Sequence, residues 1–286
     1  MNKISLNMSL KKMGWSIFRI AAGCIICFII PFALKSLIIK PVLELLGLDL
    51  DLAIAICSMF VFVALLVTYN LYFRKMERRE IEELRFFSKF KESATGFAAG
   101  ILAISTVFGI LSIIGVFQIV GVQLSAKILS VFLVILTLAA FEEILFRGII
   151  YRILMEDFGI GKALLISSLL FGIPHILNPN ATVISILSAG LGGIIAGLFF
   201  SITRNLWFVI LFHTGWNFAQ VLFGTTLSGL EEFSGGSVFR SSLNGTEILI
   251  GGRFGPENSI ITIGLLILIV LYLSIALKRK EALKAK

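Results

Sequence analysis

Long apolar runs of about 20 residues, separated by short segments that collect the charge, constrain this 286-residue chain more than any other feature. A helix of that length crosses a hydrocarbon core of ~30 Å with its backbone groups satisfied internally. With 58% hydrophobic residues, 15% charged and a mean hydropathy of +1.01, an ordinary soluble enzyme is excluded. The expected fold class is all-α, a polytopic membrane protein with about eight transmembrane helices. The spans read as Trp15 to Ile39, Ala53 to Phe73, Ala94 to Val120, Ile128 to Ile150, Ala163 to Leu177, Val183 to Ile202, Leu206 to Phe223 and Ser259 to Leu277. No internal repeat and no second domain is visible, so residues 1–286 form a single transmembrane domain.

The net charge of +8 would raise a nucleic-acid reading in a soluble chain. Here the basic residues sit in short loops, where they act as topology signals and anchors for anionic lipid, and no nucleic-acid partner is expected. With the N-terminus inside, the inner segments hold 18 Lys and Arg: Lys3, Lys11 and Lys12; seven from Arg74 to Lys91; Arg152, Lys162 and Arg204; and Lys278, Arg279, Lys280, Lys284 and Lys286. The outer segments hold 5, namely Lys35, Lys40, Lys127, Arg240 and Arg253. That asymmetry predicts both termini inside. The first span follows basic residues like a signal peptide, but its apolar run is long and no small-residue cleavage site follows, so it reads as a retained anchor. Cys24, Cys27 and Cys57 all fall in spans and imply no disulfide framework. The abundance of Ile, Phe and Lys points to a low-GC bacterium, hence a multi-pass protein of its plasma membrane.

Two connectors are long. Arg74 to Glu92 mixes acids and bases, which suits either an amphipathic helix on the inner surface or a solvated connector. Gly224 to Asn258 is rich in Gly and Ser, is placed outside, and carries turn signals in "GGRFGPENS" before a helix start at Asn258 or Ser259.

Ionisable residues at bilayer depth cost at least ~2.5 to 3.5 kcal/mol and mark function by default. Arg19 and Lys35 lie near span ends and can snorkel. Glu142, Glu143, Arg147, His175 and His213 cannot. In "FEEILFRG", Arg147 is about 40° from Glu143 around a helix but about 140° from Glu142, so Glu143 and Arg147 pair as structural support. Glu142 is left without a partner on its own helix, as a general base requires, although all three charges could instead form one packing network. The chain's two histidines both fall in apolar spans, in "LLFGIPHIL" and "VILFHTGWNF". Pro174 can loosen the helix before His175, and Asn217 shares the face of His213. Two His, an unpaired Glu and an Asn on nearby helices make a catalytic kit.

In this order on successive spans, E-E-x-x-x-R at Glu142, Glu143 and Arg147, F-x-x-x-H at Phe171 and His175, and H-x-x-x-N at His213 and Asn217 resemble the CAAX protease and bacteriocin-processing (Abi) family of intramembrane glutamate proteases. The resemblance covers a catalytic core of residues 128–223. It implies that Glu142 and His175 activate water while His213 and Asn217 hold the oxyanion, with no metal and no cofactor. The expected function is an intramembrane endopeptidase, whose partners are the lipid bilayer and a membrane-associated peptide or C-terminal tail.

Three other readings compete. Two His and a Glu could hold a catalytic zinc, but H-E-x-x-H spacing is lacking and Asn217 is a poor ligand. Ser167, Ser168, Ser185 and Ser188 lack the spacing of a serine nucleophile. A non-catalytic scaffold or regulator could use the same polar cluster as glue, but it would be free to lose Glu142 or His213, and both are present. A transporter would show inverted repeats or matched broken helices, and neither is found.

Overall fold

The computed structural model describes residues 3–284, with side chains described for 11–283. Of the basic residues counted above, Lys286 lies outside the described residues, and Lys3 and Lys284 lie outside the described side chains. Among the described residues the fold is all-α apart from one two-stranded sheet, and seven helical segments are long and apolar enough to cross a membrane.

The first is α1 (Lys3–Leu34), which continues through a π-helical turn (Lys35–Ile39) into α2 (Lys40–Leu45). Asp49 caps α3 (Leu50–Lys75) by accepting from the amides of Asp51 and Leu52. After α4 (Phe90–Ile113), Gly115 takes a left-handed φ of 78° and the chain turns into β1 (Phe117–Val122). Next come α5 (Ile128–Glu143), a π-helical segment (Ile144–Tyr151) and α6 (Arg152–Phe158), which together form one continuous span. Then α7 (Ile160–Gly172) gives way at Pro174 to a 3-10 turn (Ile173–Leu177). Thr182 and Ser185 close a capping box on α8 (Val183–Thr203). Asn205 caps α9 (Leu206–Leu222), whose 17 residues leave it shorter than the other spans. The chain ends with β2 (Phe239–Leu243), the single turn α10 (Glu247–Ile250) and α11 (Ile260–Lys284).

The expected eight spans thus correspond to seven long helices plus α9. The third departs from expectation: its apolar run continues past Ile113, but Phe117–Val122 is a strand paired antiparallel with β2, from Phe117 opposite Leu243 to Val122 opposite Phe239. A short apolar run has the same hydropathy in either conformation. Phe117 is held against Phe108 and Phe223, anchoring the sheet to the ends of α4 and α9.

The Arg74 to Glu92 connector matches neither reading offered for it. It is irregular, with one 3-10 turn at Phe87–Lys89 before α4 begins, and it is not simply solvated. Ile81 and Glu83 are buried, Leu206 N–H donates to the Glu83 carbonyl at 2.9 Å, and the Trp207 indole donates to the Leu84 carbonyl at 3.0 Å. Arg19, near the end of its span, has defined partners. It clasps Glu77 with bonds of 3.0 and 2.7 Å and reaches Glu156 at 3.1 Å. The Gly224 to Asn258 connector folds back onto the bundle, burying Phe233, Phe254 and Asn258.

Helix α9 lies against α4, α5 and α8. It approaches α4 closely, because Gly96 and Gly100 of α4 lie against the backbone of Phe208, Phe212 and Trp216, while Gly215 lies against the backbone of Phe97. A Cβ at any of the three would collide with main chain. This small-residue contact replaces the hydrophobic driving force that helices lose inside lipid, and it fixes the height and rotation of α9.

Candidate active site

Glu142 and Glu143 end α5 where the π-helical segment begins, and the wider π turn carries Arg147. Arg147 Nη1 lies 3.0 Å from both carboxylate oxygens of Glu143, and each side chain is 1% exposed. The guanidinium also donates through Nη2 to the Gly193 carbonyl of α8 at 3.1 Å, and it lies 4.4 Å over the Phe171 ring of α7. One arginine therefore ties three helices together. Phe171 is the common wall, with His175 at 5.1 Å and His213 at 6.2 Å between ring centroids.

Glu143 has a second role that its helix position did not show. His213 Nδ1 lies 2.8 Å from Glu143 Oε1, and a carboxylate can only accept, so Nδ1 carries a proton. The ring's other nitrogen, Nε2, stands 3.9 Å from Glu142 Oε2. That oxygen is buried and has no hydrogen-bond donor among the described residues. His175 is oriented by its own helix, with Nδ1 2.9 Å from the Phe171 carbonyl. A carbonyl also only accepts, so Nδ1 donates, and Nε2 is left without a hydrogen bond among the described residues.

Glu142, Glu143, His175, His213 and Asn217 all border one cavity of about 280 Å³. Its other walls are largely apolar, including Leu138, Phe171, Ile195, Phe212 and Trp216. Asn217, one turn from His213, has no side-chain hydrogen bond among the described residues and presents its amide to this space. All four residues proposed for chemistry thus meet at one place, with Arg147 behind them as support. Among the described residues, no three His, Cys, Asp or Glu side chains converge as metal ligands do.

Residues 123–219 match the family model of the type II CAAX prenyl endopeptidases, described as Rce1-like. This segment is similar to the Rce1-like endopeptidases. The Rce1-like segment runs from the turn before α5 to Ala219 of α9, so it contains all six residues discussed above, and the family is one of CAAX-type membrane proteases. No curated protein and no solved structure matches the chain.

The cavity also has walls that sequence reading passed over. Ser228, Leu230, Phe233, Phe254 and Glu257 reach it from the connector between α9 and α11. An acidic residue in a Gly/Pro-rich turn between two apolar runs was the available signal for Glu257. The G-x-x-x-G spacing of Gly96 and Gly100 was the signal for the close seat of α9.

Proposed function

We propose that this multi-pass membrane protein is an intramembrane endopeptidase in which Glu142 activates the attacking water. The observation that carries this reading is the placement of a hydrogen-bond-free Glu142 oxygen at a cavity shared with two oriented histidines and a free carboxamide. Glu142 takes a proton from a water that His175 Nε2 helps to position. The hydroxide adds to the scissile carbonyl, and the proton then passes from Glu142 to the leaving amine as the carbon–nitrogen bond breaks. His213 Nε2–H and the Asn217 amide donate to the oxyanion between these steps.

That role needs His213 to carry both ring protons, and the cluster supplies the compensation. Glu142 and Glu143 against Arg147 leave one negative charge, which an imidazolium cancels. Glu143 is then the positioning residue for His213 as well as the partner of Arg147. The reaction requires no covalent intermediate. A zinc reading of the same side chains is less well supported, because Asn217, which shares the cavity wall with His213, is a poor zinc ligand but a good oxyanion donor.

The substrate is a membrane-embedded peptide or tail, of which a prenylated C-terminus, as the family description has it, is one form. We place both termini and the Arg74 to Glu92 connector in the cytoplasm of a bacterial cell, from the 18 to 5 charge asymmetry. The deciding experiment compares membrane peptidomes of cells carrying the wild type and Glu142→Ala. Peptides that accumulate uncleaved only in the variant establish proteolysis. Identical peptidomes, together with partner binding that survives the substitution, would replace this reading with a scaffold.

A further inference from the structure

The loop before α11 is built to hold one carboxylate in place. Gly251, Gly252 and Gly255 adopt left-handed φ values of 83°, 60° and 109°, which an L side chain rarely tolerates. A Cβ on Gly255 would meet the Thr226 carbonyl, and one on Gly251 would meet the Gly255 carbonyl. Asn258 Nδ2 donates to the Gly251 carbonyl at 3.0 Å, Thr182 Oγ1 donates to Asn258 Oδ1, and Thr262 Oγ1 donates to the Pro256 carbonyl at 2.6 Å. The residue these constraints deliver to the cavity wall is Glu257.

Glu257 is held only by neutral donors. Oε1 accepts from the Trp216 indole at 2.8 Å and from Gln220 Nε2 at 3.0 Å, and Oε2 accepts from Ser228 Oγ at 2.5 Å. Among the described residues, no lysine or arginine lines the cavity. If His213 is protonated as proposed above, the Glu142, Glu143, Arg147 and His213 cluster is neutral, and Glu257 is the one uncompensated charge on the wall. Acceptors are also in excess nearby. Gln220 is wholly buried, and its Oε1 has no donor among the described residues. A half-buried carboxylate with no counter-charge in contact attracts a cation that reaches it through the cavity.

We propose that Glu257 forms an anionic subsite of this cavity, which receives a cationic group of the substrate: a lysine or arginine side chain or a free amine. This rests on the cavity being the peptide site. Trp216 and Gln220 lie three and seven residues beyond His213, which is about 5 and 10 Å along α9. An extended peptide advances ~3.3 to 3.6 Å per residue, so the cation lies two or three residues from the scissile bond. The subsite therefore selects internal segments or tails whose flanking residue is basic.

The test uses fluorogenic apolar peptides in nanodiscs, identical except for lysine, norleucine or glutamate at a single position scanned along the sequence. Lysine should exceed glutamate at one position by at least about tenfold in kcat/KM, which equals ~1.4 kcal/mol, the scale of one charge-assisted hydrogen bond. Binding to the Glu142→Gln protein, read by fluorescence anisotropy, should show the same ratio without turnover. Adding Glu257→Gln should bring the ratio within about twofold, with the norleucine peptide as the reference inside each protein. Glu257→Asp should keep its sign, which covers the case in which the glutamine variant does not fold. Cleavage with no charge preference, or a preference that survives Glu257→Gln, overturns the subsite and leaves the peptidase standing. Charge-selective binding that depends on Glu257, without any cleavage, does the reverse. Absence of both binding and cleavage overturns both.

Discussion

Arg147 and Arg152 sit five residues apart on one span and are built alike. Each is almost wholly buried, lies over a phenylalanine ring (Phe171 at 4.4 Å, Phe73 at 4.2 Å), bonds a backbone carbonyl and pairs with a carboxylate. They differ in what stands behind the carboxylate. Arg152 bonds Glu156 at 2.6 Å and lies 3.5 Å from Glu77, and both of those acids are also bound by Arg19, so charge closes on charge. Behind Glu143 stands His213, then Glu142 with its unbonded oxygen, then the cavity. A buried ion pair by itself therefore says little about function. A network becomes a candidate site when it ends in unsatisfied atoms facing a space that a substrate can enter.

Substitutions at the two ends should separate these networks, and the largest effect is expected at Glu142. Glu142→Gln removes the base at nearly constant shape, so kcat should fall by roughly 10² to 10⁴ while stability changes by less than about 1 kcal/mol. Single-turnover cleavage and thermal melting on the same preparation read both, and a loss of folding equal to the loss of activity would erase the contrast. Glu143→Gln should damage both properties, since it strips Arg147 and His213 of their shared partner. A stability loss of about 3 to 5 kcal/mol, typical for breaking a buried pair, should accompany a lower kcat per folded molecule. Intact kcat in a destabilised protein would show that the bond from His213 to Glu143 is only structural.

Asn217→Ala comes next, with kcat reduced by about 10² to 10³ and KM little changed, because its amide matters once charge develops on oxygen. Activity should also persist after exhaustive chelation in protein shown to be metal-free. Inactivation that zinc alone restores would move His213 into a metal site.

The smallest effect is expected at Glu83, whose partner Tyr69 also reaches the Gly148 carbonyl that Arg152 bonds. Burial disfavours its charge, yet the bonds from Arg79 and from Tyr69 Oη at 2.6 Å prevail and hold its carboxyl below the usual range. A lowered folded value means that its stabilising contribution is present above the unfolded value of ~4.3 and is lost as pH falls through the folded one. Glu83→Gln should cost about 1 to 3 kcal/mol at neutral pH, leave activity per folded molecule unchanged, and flatten the acid limb of the stability curve. An unchanged acid limb would remove Glu83 as its cause.

Legibility differed between these regions for physical reasons. The pairing of Glu143 with Arg147 was readable because i and i+4 are neighbours on any helix, and a π turn at that point did not undo it. The bond from Glu143 to His213 spans 70 positions and joins two spans, and no periodicity in either helix encodes it. The partners of Arg19 were hidden for the same reason, since a position near a span's end cannot reveal that Glu77 and Glu156 lie opposite. Glu257 was invisible as a wall of the cavity because a Gly- and Ser-rich connector has no period from which a direction can be read.

By itself, the sequence determined that the chain lies in a membrane as a bundle of apolar helices, because hydrocarbon leaves polypeptide few ways to satisfy its backbone and runs of about 20 residues meet that demand locally. It also determined which side chains could not be there for packing alone, since charge at bilayer depth is costly wherever the helix goes. Only the tertiary structure decided which of those side chains meet. The backbone approach at Gly96, Gly100 and Gly215 sets the seat of α9, and that seat places His213 between two glutamates and Asn217 on the cavity wall. Helix geometry places residues along an axis, whereas convergence on one point depends on how the axes pack, and that is settled by contacts between residues far apart in the chain.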